Sequence, residues 1–330
     1  MISVIIPTRN RGAMLADALD SLRRQSLDHD VFEIIVIDNG STDDTPAVVA
    51  GMGERLPNIR YFCEPEPGLH SARHRGLREA KGDVLTFADD DIEALPSWLE
   101  SIVQSFTDPE VDMVGGNNLP MFLEPPPLWL SKLWMHSNLG GRAIPSLSVL
   151  ELPGGPRQFN PLLVWGCNFS IRKQTLIDAG GFHPDSLPQD LIRFRGDGET
   201  HVSRYVARIG SRCIFHPGAT VYHKVTPARM TISYFRQRAF NQGVSDSYTE
   251  LRRRHMEGRK VASWIPVLGV ARRRLRRIRG RLRAAMAKEP ELRSLHRATM
   301  RGFAEGFDFH QQAFATDPEV REWVLKPSYL

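Results

Sequence analysis

An α/β fold with a mostly parallel sheet flanked by helices, followed by a helical, Arg-rich C-terminal extension, is predicted by three observations on this 330-residue sequence. Short apolar runs alternate with amphipathic segments at intervals of about 25–30 residues, which is the mark of βαβ units. Two of these runs end in carboxylates, at Asp38 and at Asp89-Asp90-Asp91, and the carboxyl ends of parallel strands are where open sheets place ligands. Beyond residue 226 strand-like runs give way to arginines at helical spacing.

The elements follow in order. Ser3–Ile6 is a first strand, and Leu15, Ala18, Leu19 and Leu22 then repeat with helical spacing. Phe32–Ile37 is a second buried strand, closed by the cap-rich turn Asp38-Asn39-Gly40-Ser41-Thr42. A short helix is expected over 43–52, a strand over Ile59–Phe62, and a Pro/Gly loop over 64–68. A helix over 71–80 stops at Gly82. Val84–Ala88 is the fourth strand, and Pro96-Ser97-Trp98-Leu99 opens another helix. Residues 119–127 and 140–161 are rich in Pro and Gly and read as loops, the second a long flexible one beside a site. Regular patterning returns over 162–171 and ends with Thr220-Val221-Tyr222-His223.

Composition narrows the class. Hydrophobic content of 41% and charged content of 25% suit a chain that buries a full core. Cys63, Cys167 and Cys213 lie far apart without metal-ligand spacing, so a reducing, cytoplasmic setting is expected. Met1–Pro7 lacks the features of a signal peptide. The apolar run 261–271 has about half the ~20 residues of a membrane span. The net charge of +5 hides an asymmetry. Residues 251–288 carry 14 Lys/Arg against Glu257 alone, a balance of +13, which leaves −8 for the rest. An acidic body needs cations to hold an anionic ligand, while the basic segment favours an anionic surface.

Individual motifs carry chemistry, each beside a plainer reading. Three adjacent carboxylates at a strand end repel one another unless a cation is present, and hard oxygen donors suit Mg2+ or Mn2+ with a diphosphate. The plainer reading is a helix-capping turn. Asp38 is either an acceptor for a base or ribose donor or an Asx-turn cap. Pro7-Thr8-Arg9-Asn10, with Arg11, follows a strand and precedes a helix, where backbone N–H groups hold anions. Gly68–Gly76 offers Arg73 to phosphates, or is a basic helix face. Trp165, Gly166 and Asn168 combine an aromatic face with an amide, as saccharide sites do, or form a bulged strand. Asp197 and Glu199 precede a helix, as caps or as a general base. His223 ends a strand and is a candidate third metal ligand. Neither a GxGxxG fingerprint nor a Walker phosphate loop is present.

Taken together and in order, these segments resemble the family 2 inverting glycosyltransferases of GT-A fold, over residues 2–225. The resemblance implies a domain at 1–225, with a nucleotide-sugar half at about 1–115 and an acceptor half at about 116–225. Residues 226–330 form a helical basic region. It implies a nucleoside-diphosphate sugar donor, with a UDP-sugar favoured, and a glycan or lipid-linked acceptor. Pro7, Thr8, Arg9, Asp38, Gly68, Arg73, Asp89 and Asp90 would bind the donor. Trp165, Gly166 and Asn168 would face sugar or acceptor. Asp91 and His223 would hold Mn2+ or Mg2+. The sequence departs from the family at Ala88, where a carboxylate is usual, which passes the ribose contact to Asp89. It also reads Asp197-Gly198-Glu199 where the family has an adjacent acid pair. Measured back from the helix-closing Gly210, Glu199 takes the base position and Asp197 is the second choice.

In the extension, Leu275, Ile278, Leu282 and Met286 recur among eight arginines between Arg272 and Arg283, as in an interfacial basic amphipathic helix. Peripheral attachment to the anionic inner face of the plasma membrane is therefore expected, against the plainer reading of a solvated helix. A metal-dependent nucleotidyltransferase is the competing enzyme class, but it has no use for Glu199 as a base. A polyanion-binding protein acting through the arginines is the non-enzymatic alternative. No nucleic-acid module is present to support it, and no nucleic-acid partner is expected.

Overall fold

The computed structural model describes residues 1–257 and 289–330. Its frame is an eight-stranded sheet. Strands β1 (Ile2–Thr8), β2 (Phe32–Asp38) and β3 (Ile59–Cys63) are parallel, and β4 (Val84–Ala88) joins β1 in parallel on its other side. The sheet is built around a chemical necessity: β1, β2 and β4 are buried along their whole length. Near-continuous Val/Ile runs suit strands covered on both faces. One face packs on α1 (Gly12–Arg23) and α4 (Trp98–Phe106), with Leu15, Leu19, Leu22 and Trp98 in the core. The other packs on α3 (Leu69–Glu79), where Gly76 lets the helix lie directly on Ile5. The helix expected over 43–52 is α2 (Thr45–Met52).

A second, six-stranded sheet corrects the loop assignment. It contains β5 (Ile92–Ala94), β7 (Asn118–Phe122), β8 (Ser137–Asn138), β9 (Gly141–Ile144), β10 (Val149–Glu151) and β14 (Val221–Val225), in the order β5-β14-β7-β10-β9-β8. Residues 119–127 and 140–161 therefore hold strands where loops were expected. The apolar residues Ala143, Ile144, Val149 and Leu150 are buried there, and this burial outweighs the local Pro and Gly content. The first sheet is completed by β6 (Val111–Gly115), β11 (Arg157–Gln158), β12 (Asn168–Arg172) and β13 (Arg212–Phe215). Its full order is β11-β13-β6-β12-β4-β1-β2-β3, with β12 antiparallel to both neighbours. His223 lies in the middle of β14 rather than at its end.

Short helices α5 (Leu128–Met135) and α6 (Lys173–Asp178) precede α7 (Thr200–Ile209), which closes at Gly210 in a left-handed conformation. From residue 232 the described chain is helical, as expected: α8 (Ile232–Met256), α9 (Pro290–Thr316) and α10 (Pro318–Leu325). The helices α8 and α9 pack in parallel at close range. Cβ atoms at Gly302 and Gly306 would strike the carbonyl oxygens of Arg236 and Phe240, 2.3 and 2.0 Å away. The C-terminal residues fold back on the body. Tyr248, Leu251, Phe314, Val320, Val324 and Tyr329 form one cluster with Phe194, and Trp323 Nε1 donates to the Phe194 carbonyl. The stretch 258–288, which holds the expected Arg-rich amphipathic helix, lies outside the described residues.

Candidate active site

The aspartate triplet is the chain's crossing from one sheet to the other: β4 ends at Ala88 and β5 begins at Ile92. The antiparallel register of β5 and β14 sets His223 opposite Ile92, which brings its ring beside Asp91. The Lys224 amide donates to the Asp91 carbonyl at 2.9 Å and fixes the approach.

His223 Nδ1 lies 2.8 Å from the carbonyl of Leu147, which can only accept, so the ring is a donor there. Its Nε2 then turns toward Asp91 Oδ1 at 3.2 Å. Both atoms are buried and without a hydrogen-bond partner. Two bare acceptors facing each other call for a cation between them. An oxygen of Asp89 completes a group whose ligand atoms all lie within 4.8 Å of one another. Two carboxylates and an imidazole therefore fit a divalent ion of the Mn2+ or Mg2+ kind.

Arginines balance the remaining charge. Arg11 Nη1 donates to Asp90 Oδ1 at 2.7 Å and to Asp91 Oδ2 at 3.0 Å. Arg229 Nη1 reaches the same Asp91 oxygen at 2.9 Å and is braced through Nε by Tyr234. Burial pushes Asp91 up, yet Arg229 and Arg11, together with His223 whenever its Nε2 carries a proton, hold it well below the usual carboxylate range. Asp90 is governed by burial, which lifts it to about 6 despite Arg11 and the Thr8 hydroxyl, which donates to it at 2.8 Å. Confinement and the neighbouring Asp91 charge raise Asp89.

Pro7, Thr8, Arg9, Asp89 and Asp90 line a cleft of about 400 Å³, which Leu69 and Ala72 of α3 and the 186–188 turn also border. Gly68, at φ +124°, starts α3 where any side chain would strike His70 and Leu187. Asp38 stands at the end of β2, and its carboxylate is engaged: it accepts from the Ser41 amide and from the Tyr61 hydroxyl at 2.6 Å. The Asx-turn reading of Asp38 therefore describes its present contacts.

Arg73 links this cleft to Glu199. Its guanidinium is buried and lies 3.7 Å from Asp89 and 3.5 Å from Glu199, and it donates to the Gly166 carbonyl at 3.2 Å. A Cβ on Gly166 would sit 2.2 Å from Arg73 Nη2, so glycine is what lets the arginine pass. The Gly166 amide donates to Glu199 Oε1 at 3.3 Å. Glu199 opens α7 and keeps a quarter of its side chain exposed, at 24%. Asp197 is placed differently. Its buried carboxylate is consumed by His183, Arg204 and Thr249.

Not every expected sugar contact lies on the cleft. Asn168 is buried between the sheets. Its amide donates to Asn118 Oδ1 and the Ala219 carbonyl, and its oxygen accepts from Trp98 Nε1. Trp165 is half-buried and packs against two core clusters. Arg229 escaped sequence reasoning altogether. Its only local signal is its place six residues after His223 in the turn 227–229.

The chain is similar to several known glycosyltransferases. Glycosyltransferase AglE of Haloferax volcanii is 32% identical over 117 residues, 35% of this chain and 38% of that protein. The GalNAc(5)-diNAcBac-PP-undecaprenol beta-1,3-glucosyltransferase of Campylobacter jejuni is 38% identical over 105 residues, 31% of this chain and 33% of that protein. Both matches span well under half of the relative's own length. Glucosyl-dolichyl phosphate glucuronosyltransferase of H. volcanii is 22% identical over 264 residues, 76% of this chain and 77% of that protein. In fold, the chain is similar to the mannosyltransferase PcManGT of Pyrobaculum calidifontis, solved with GDP-Man and Mn2+. That likeness has a TM-score of 0.54 at 20% identity and covers 98% of this chain and 82% of that one. It agrees with the GT-A expectation. The sequence pattern of Glycosyl transferase family 2 matches residues 3–174, just over half of the chain, taking in β1 to β4 and the aspartate triplet. The chain belongs to glycosyl transferase family 2.

Proposed function

We propose that this protein transfers a sugar from a nucleoside-diphosphate sugar to a hydroxyl of a glycan or lipid-linked acceptor, with inversion and with the help of Mn2+ or Mg2+. The single observation that carries the reading is the convergence of Asp89, Asp91 and His223 with Glu199 through one buried arginine, Arg73. A cation held by Asp91 and His223, with Asp89 in reach, supplies charge neutralisation for the leaving diphosphate. Thr8, Arg9 and Arg11 border the same cleft and favour an anionic ligand.

Glu199 is the general base. Its carboxylate is partly exposed and receives only long contacts from Arg73 and the Gly166 amide, so a lone pair is available to an acceptor hydroxyl. Deprotonation by Glu199 lets that hydroxyl attack the anomeric carbon opposite the leaving diphosphate. One displacement inverts the centre and needs no covalent enzyme intermediate. Asp197 serves instead to hold the loop before α7.

A lipid-linked acceptor is favoured by the named substrates of the C. jejuni and H. volcanii relatives and by the basic stretch 251–288. The enzyme then works at the cytoplasmic face of an anionic membrane as a peripheral protein. No helix among the described residues is long and apolar enough to cross a membrane.

A thermal-shift screen of UDP-, GDP- and dTDP-sugars with Mn2+ or Mg2+ tests the proposal. A donor at 100 times its dissociation constant stabilises by about 2.7 kcal/mol. A UDP-sugar with metal is expected to give the largest shift. No shift with any nucleotide sugar overturns the reading.

A further inference from the structure

Four of the thirteen large apolar side chains exposed among the described residues, Leu123, Leu128, Met135 and Leu139, fall within 17 consecutive residues, where an even spread would put about one. Leu128 and Met135 are the most open of the four, at 66% each. They sit seven residues apart on α5, with Lys132 between them on the same helical stripe. The opposite face is anchored: Trp129, Leu130 and Trp134 are buried against Phe235 and Leu295 of α8 and α9. The helix is therefore held rigidly by its aromatic side while its apolar outer stripe is left to solvent.

Charge converges on the same place. Lys132 pairs with Glu289, the first described residue after the stretch 258–288. That stretch carries eleven Lys/Arg and no acid. The most basic part of the chain thus rejoins the described structure beside the open apolar stripe. Apolar side chains flanked by a lysine, beside the point where a strongly basic sequence ends, match the acyl and headgroup layers of an anionic bilayer.

We propose that α5 and its flanks form a membrane wedge, with Leu128 and Met135 entering the acyl boundary of an anionic bilayer and Lys132 reaching the headgroups. The wedge rests on the reading of a lipid-linked acceptor and gives that reading a docking face among the described residues. It makes binding depend on two forces, of which only the electrostatic one is screened by salt.

Flotation of the full chain with phosphatidylglycerol-containing vesicles tests it at about 0.1 M and about 1 M salt, between which the screening length falls from about 10 Å to about 3 Å. The wild type is expected to keep part of its binding at high salt. The variant carrying Leu128→Glu and Met135→Glu should bind about tenfold or more weakly there. A probe adds a readout independent of folding losses. An environment-sensitive dye on Leu128→Cys in a Cys63→Ser background should blue-shift with vesicles, and one on Val103→Cys should not. Equal binding by the double variant, or an unshifted dye at 128, overturns the wedge. So does a change of oligomeric state without a change in vesicle binding, which would assign the stripe to a second copy. Nucleotide-sugar thermal shifts on the same variants separate this failure from failure of the transferase reading, since the wedge leaves donor binding untouched.

Discussion

The guanidinium of Arg73 stands 3.5 Å from the carboxylate of Glu199, and the arginine is almost wholly buried while the glutamate is not. The same guanidinium reaches toward Asp89 at 3.7 Å. One buried cation therefore bridges Asp89, on the cleft, and Glu199, beyond it.

Replacing Glu199 by Gln is expected to leave nucleotide-sugar binding nearly unchanged and to lower turnover by roughly 10²–10⁴. Steady-state transfer rates beside donor affinity check this. Asp197→Asn acts through its hydrogen bonds to His183, Arg204 and Thr249. It should lower the melting temperature more than it changes turnover per folded molecule. The reverse pattern would make Asp197 the base.

Asp91→Asn removes the charge that faces His223 Nε2. Metal-dependent donor binding should be lost while the circular-dichroism spectrum is kept. For the wild type, donor affinity measured by calorimetry should fall when EDTA is added. Undiminished affinity in EDTA rules the metal site out.

Gly166→Ala puts a methyl group 2.2 Å from Arg73 Nη2. The arginine must move, because the site is buried and closely packed. Overpacking of this kind costs about 1–3 kcal/mol. Turnover should fall with Arg73 displaced, and denaturant titration should register the stability loss. Wild-type turnover in this variant would remove Arg73 from its linking role.

Histidines confined by the fold, His70, His74, His183 and His310 buried and His201 partly exposed, should make it acid-sensitive. Burial pushes His70, His201 and His310 down to about 4 and His74 to about 3, and it lowers His183 as well. His74 Nε2 accepts from the Phe182 amide at 2.9 Å and so has no room for a proton. These groups stay neutral in the fold but take protons at about 6.5 once unfolded. Depressed values mean that protons bind first to the unfolded chain. Stability is thus full above about pH 6.5 and lost as pH falls toward 4. Urea titrations at pH 7.5, 6 and about 4.5 should show this decline. His310→Gln should flatten it if the fold is kept, and a pH-independent midpoint would contradict it.

Much of the site was legible because it lies at strand ends. The alternation of runs located β1, β2 and β4, and the cost of adjacent carboxylates singled out Asp89-Asp90-Asp91. Glu199 was put forward as the base by counting back from Gly210 to the position of the resembled family's acid pair, with Asp197 as second choice, and the structure places it beside Arg73. The second sheet was not legible. Its strands β7 to β10 are short, and they lie among prolines and glycines. β8, β9 and β10 pair as local hairpins, but the pairing of Leu150 with Asn118 that ties them to β7 is long-range. Arg229 was missed for a related reason: it meets Asp91 across 138 positions, and nothing periodic marks it. Asn168 read as a sugar ligand because an amide beside Trp165 suits one. Its hydrogen bonds to Trp98, Asn118 and Ala219 are visible only once the sheets are assembled.

The contacts that build the cleft join Thr8 to Asp90 over 82 positions, Arg73 to Glu199 over 126 and Arg229 to Asp91 over 138. Loop closure on that scale is slow compared with forming the local β1–α1–β2 unit. During refolding, secondary structure should therefore return before the ability to hold a nucleotide. The family-matched residues 3–174 contain the aspartates but neither Glu199, His223 nor Arg229. A nascent chain of that length would present three crowded carboxylates with Thr8, Arg11 and Arg73 but without His223 and Arg229.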